Sequence, residues 1–100
     1  MTDTLQATLP ERVGGRDEAR QFLVELLTGN RSLAGFTVSI HGDALRASGS
    51  SFIDELIKKL LVESNADKVI FEEAPPQAAN DAEMSAKRRG VVNRLIVHRR

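Results

Sequence analysis

No cysteine occurs in the 100 residues, which excludes disulfides, thiolate metal sites and cysteine nucleophiles. With only two histidines besides, a zinc centre has few ligands to draw on, and neither metal nor cofactor is expected. Trp and Tyr are also absent, and four Phe are the only aromatics, so few platforms exist on which bases or sugars stack. Net charge is missing as well. Fourteen Lys plus Arg balance fourteen Asp plus Glu, and the whole molecule exerts no long-range pull on nucleic acid or an anionic membrane. No run approaches the roughly 18 apolar residues of a membrane span, and Met1–Thr4 lacks a basic stretch leading into an apolar one. The expected location is the cytoplasm, without membrane contact.

What is present is an ordinary balance of 41% hydrophobic and 28% charged residues, which points to one globular domain over residues 1–100. At this length a single core between two packed layers is expected, with little room for an elaborate catalytic cleft.

Thr4–Leu9 alternates apolar and polar residues before Pro10, which predicts a short edge strand. Gly14–Gly15 punctuates the chain. Ala19, Phe22, Leu23, Leu26 and Leu27 then fall on one helical stripe from Asp17 to about Thr28, with Gly29–Asn30 as the stop. Phe36–Ile40 alternates again and reads as a central strand. Ser48–Ser51 announces a second helix to about Glu63 or Ser64, and Ser51 with Asp54 approximates a capping box. Its apolar residues are Phe52, Ile53, Leu56, Ile57, Leu60 and Leu61, leaving Asp54, Glu55, Lys58 and Lys59 on the wet side. Lys68–Glu72 reads as a strand covered on both faces, Glu73–Asn80 as a proline-containing loop, Asp81–Arg89 as a short helix closed by Gly90, and Val91–Val97 as a last strand. Alternating strands and helices predict an α/β fold: a small four-stranded mixed sheet with two to three helices.

Ser50-Ser51-Phe52-Ile53-Asp54-Glu55-Leu56 followed by Lys68-Val69-Ile70-Phe71 resembles the STAS-like domain family of unknown function, related to the STAS domains of bacterial anti-sigma-factor antagonists. Val38 to Ala74 carry the resemblance. It implies a non-enzymatic, bacterial or phage regulatory module that binds a histidine-kinase-like ATPase or an anti-sigma factor through the serine loop and the following helix. In antagonists this loop reads Asp-Ser-Ser/Thr-Gly and its first serine is phosphorylated. Here the tetrad falls on Ser48-Gly49-Ser50-Ser51, so Gly49 occupies the acceptor position and the neighbouring Ser50 and Ser51 are the candidates for phosphorylation.

Three candidate sites follow. Ser48, Gly49, Ser50, Ser51 and Asp54 form a partner-binding or regulatory loop at a helix start, where free N–H groups favour an anion; the same serines also suit plain helix capping. His41, Asp43 and Arg46 offer a base, an acid and a cation at a strand end, but no nucleophile elbow accompanies them, and no enzyme activity is expected. Lys87, Arg88, Arg89, Arg94, Arg99 and Arg100 concentrate positive charge in the last twenty residues. They suit contact with nucleic-acid phosphates or an acidic partner, or a solvated tail. The alternative function is therefore a small nucleic-acid-associated or inhibitor protein, and under either reading a monomer or a homodimer is expected.

Overall fold

A computed structural model describes residues 3–27 and 32–100. The Gly29–Asn30 stop lies outside the described residues. Four strands, β1 (Asp3–Thr8), β3 (Phe36–His41), β5 (Lys68–Ala74) and β6 (Leu95–Arg99), form one sheet in that order. Every neighbouring pair is parallel, where the sequence suggested a mixed sheet. The reason is that each neighbour is reached through a helix, and such a crossover returns the chain in the same direction. The helices are α1 (Arg16–Leu26), α2 (Ser50–Ile57) and α3 (Pro76–Arg88). A second, two-residue parallel pair, β2 (Arg12–Val13) with β4 (Ala47–Ser48), went unforeseen.

The register sets which side chains meet the helices. Leu5, Val38, Val69 and Leu95 form one row, and Ala7, Ile40, Phe71 and Val97 the next. Both rows belong to the core, together with Leu23, Phe52, Ile53, Leu56, Ile57, Leu60 and Leu61. Gln6, Ser39, Ile70 and Ile96 lie on the opposite, more open face. The expectation that β5 is covered on both faces is thus corrected. Val69 and Phe71 are buried, whereas Ile70 between them is half-exposed.

α2 is the middle helix, in contact with α1 on one side and α3 on the other. All its residues from Phe52 to Ile57 are buried, and Phe22 of α1 meets Phe52 with ring centroids 6.1 Å apart. Beyond Ile57 the chain continues as a π-helix, Lys58–Glu63. The apolar pairs Phe52/Ile53, Leu56/Ile57 and Leu60/Leu61 recur every four residues, longer than the 3.6 of an α-turn. The wider turn of a π-helix keeps the last pair on the core side.

Two boundaries differ from expectation. α3 starts at Pro76, five residues before Asp81, because Pro at the first helical position sacrifices no hydrogen bond and has its φ already set. Ala78, Ala79, Ala82 and Ala86, fully buried, let this helix approach closely. Val92–Arg94 form a 3₁₀ turn, so the last strand begins only at Leu95.

Candidate functional site

Because the sheet is parallel, the ends of β1, β3 and β5 and the starts of α1, α2 and α3 gather at one edge, where open α/β sheets bind ligands. There the serine loop is pinned to the turn before α1. The Gly49 N–H donates to the Val13 carbonyl at 3.1 Å, and a Cβ at Gly49 would collide with the Gly14 carbonyl oxygen. Gly49 itself occupies the N-cap position, and its carbonyl accepts from the N–H groups of Phe52 (3.1 Å) and Ile53 (3.3 Å). Ser50 and Ser51 are consequently the first two residues of α2. Both are exposed, and neither hydroxyl caps the helix. Ser48 and Gly49 are half-buried.

The Ser51–Asp54 capping box does not form, and Asp54 and Glu55 are not on a wet face. Asp54 is 6% exposed and Glu55 1%. Flanking helices cover them with cations, which replace the hydration that a buried carboxylate loses. Asp54 Oδ2 accepts from Arg16 and Arg89, each at 2.9 Å, while Oδ1 accepts from the buried Ser85 hydroxyl at 2.6 Å and from Arg88 at 3.3 Å. Glu55 accepts from Arg16 and Arg20, each at 3.2 Å, with the Lys58 ammonium 4.0 Å away. Burial alone would raise the Asp54 carboxyl, but the hydrogen bonds from Ser85, Arg16 and Arg89 prevail and hold it at about 2. Glu55 is likewise lowered, its desolvation outweighed by Arg20 and Arg16. Asp54 therefore joins three helices rather than facing a partner. One part of this was visible in sequence, the two adjacent carboxylates set inside an apolar run; their partners Arg16, Arg20, Arg88 and Arg89 lie 34 to 39 positions away and carry no such mark.

Five of the six basic C-terminal residues find partners within the molecule, although Arg88, Arg99 and Arg100 remain exposed. Arg88 and Arg89 hold Asp54. Arg94 donates to the Leu61 carbonyl and, at 3.0 Å, to Asn65. Arg99 reaches Glu83 and Asn80. Arg100 donates to the carbonyls of Gly42, Asp43 and Leu45, bracing the loop that leads to Ser48. Lys87 is exposed.

His41, Asp43 and Arg46 do not assemble. The His41 ring hydrogen-bonds Gln6 through Nε2 at 3.1 Å, Arg46 lies 3.7 Å from Glu11, and Asp43 is exposed. Among the described residues no hydrogen bond joins His41 to a serine, and no cluster of three His, Asp or Glu side chains is disposed to hold a metal ion. No helix among them is long and apolar enough to cross a membrane. Comparison with protein-family models, with curated proteins and with solved structures finds no match for this chain.

Proposed function

We propose that the chain is a non-enzymatic regulatory module of STAS-like type that binds a partner protein through Ser50 and Ser51, with Ser48 and Gly49 as the base of the contact. The observation that carries this reading is the state of the two serines. They stand exposed, with hydroxyls unspent on capping, on a helix whose body is wholly buried. Such a position presents a small polar surface on a rigid support. A phosphate on either serine would bring about −1.5 to −2 charges to the positive end of α2, where the helix tolerates them. The fold would persist while the surface met by the partner gained negative charge. The resemblance of Ser50–Leu56 supplies the partner class, a histidine-kinase-like ATPase or an anti-sigma factor, in a bacterial or phage cytoplasm. The alternative through nucleic acid has less support, since five of the six basic C-terminal side chains are engaged within the molecule.

The test uses tagged wild-type protein and the Ser50→Asp/Ser51→Asp variant, purified from the native host. The protein that accompanies the wild type is isolated and titrated against both. Stoichiometric binding to the wild type and at least about tenfold weaker binding to the aspartate variant, with an unchanged circular dichroism spectrum, is expected. Equal affinity for the two would contradict the reading.

A further inference from the structure

The sheet has two edges, and they differ in what guards them. At one, β6 carries His98 and Arg99 and is followed by Arg100. At the other, β1 has no charge, proline or bulge between Thr4 and Thr8, the devices by which edge strands usually avoid pairing. Asp3 and Leu9 donate their N–H groups to Gly35 and His41 on the β3 side. By the alternation of a parallel ladder, Thr4, Gln6 and Thr8 direct their N–H and C=O groups away from the sheet. Along the same edge runs a groove of about 400 Å³ between β1 and α1, whose apolar lining is Leu5, Ala7, Phe22 and Leu26. All four are only half-buried.

Beyond the partner contact, we infer that β1 is a homodimerisation edge that pairs antiparallel with β1 of a second copy, across a two-fold axis through Gln6. The strand Thr4-Leu5-Gln6-Ala7-Thr8 is complementary to its own reverse. In this register Thr4 faces Thr8 of the second copy and Gln6 faces its counterpart, and these are the residues whose backbone groups point outward. They form the hydrogen-bonded pairs of the new ladder. Leu5 faces Ala7 on the helix side, a large side chain against a small one, and closes the grooves of both copies.

Charge along the strand permits this occupant. Asp3, the only charged residue of β1, falls opposite Leu9 rather than another Asp3, so no like charges oppose each other within the new ladder. Glu25 of α1, which also lines the groove, lies outside that ladder. The two four-stranded sheets would join into one of eight strands, leaving the Ser50–Ser51 surfaces outside the seam, with identical patches meeting as a closed dimer requires.

Sedimentation velocity over a range of protein concentrations tests this with the wild type, Gln6→Lys and Gln6→Glu. The wild type is expected to sediment as a dimer. Each single variant, which opposes two like charges at the axis, should dissociate about tenfold more readily, and an equimolar mixture of the two should recover the dimer. Because the mixture restores what each variant loses, misfolding of a variant is distinguished from loss of the contact. A wild type that stays monomeric, including one that takes up an extended peptide of another protein on β1, overturns the inference. So does a dimer that neither substitution weakens, or a mixture that does not recover.

Discussion

Asp54 concentrates the physics of this molecule in one side chain. Three guanidiniums and a serine hydroxyl converge on its two oxygens, from α1 on one side and α3 on the other. Removing the carboxylate leaves those cations facing one another, which costs more than the pair contributes while intact. Asp54→Ala is expected to lower stability by about 3 kcal/mol in urea denaturation. The carboxyl is held at about 2, below its ordinary 3.8, so its stabilising contribution is complete above pH 4 and is lost as pH falls towards 2. That loss amounts to about 2 kcal/mol. Wild-type stability should therefore drop across this window, while Asp54→Asn, which has no proton to gain there, drops less. Parallel acid profiles for the two proteins would show that the network does not set the acid limit.

At the scale of elements, the π-helix is the least regular piece and the one with a specific support. Its i→i+5 spacing, seen where the Ser64 N–H reaches the Lys59 carbonyl at 2.8 Å, alters which carbonyls the helix satisfies itself. Arg94, just before β6, supplies a donor to the Leu61 carbonyl and ties the π-helix to the far end of the chain. Arg94→Ala should cost about 1 kcal/mol and speed amide exchange across residues 58–64. Unchanged exchange there would mean that the π turn is held by core packing alone. The sequence predicts the apolar stripe of this segment but not the π turn, because the four-residue recurrence fits an α-helix well enough over two turns. Alternation at Thr4–Leu9 and Phe36–Ile40 predicts β1 and β3 to within a residue, since a period of two has no helical counterpart. Pro75–Pro76 misleads for the opposite reason. A proline pair reads as a loop unless the helix behind it is recognised, and that helix is marked by alanines rather than by large apolar residues.

Across the whole molecule, an even balance of charge conceals an uneven distribution. The basic C-terminal segment looks like a surface for polyanions when counted along the chain. In three dimensions Arg88, Arg89, Arg94, Arg99 and Arg100 serve the fold, and Arg100 braces the loop ahead of the serines. Nothing in the linear sequence indicates which cations are spent in this way, because their partners lie 16 or more positions away. The serine loop is legible in sequence as a helix start. Its exposure, and the use of Gly49 rather than a serine as cap, depend on the close approach of Gly14, which the chain order does not disclose. At the edge where the parallel strands end, Ser50 and Ser51 stand exposed at the start of α2, and Lys87 is exposed near the end of α3. The most direct measurement places a photo-crosslinking amino acid at Ser51 in one variant and at Lys87 in another, each irradiated in the native host. The account predicts one dominant protein adduct from position 51 and none from position 87. An adduct from position 87 alone, or with nucleic acid instead of protein, would contradict it.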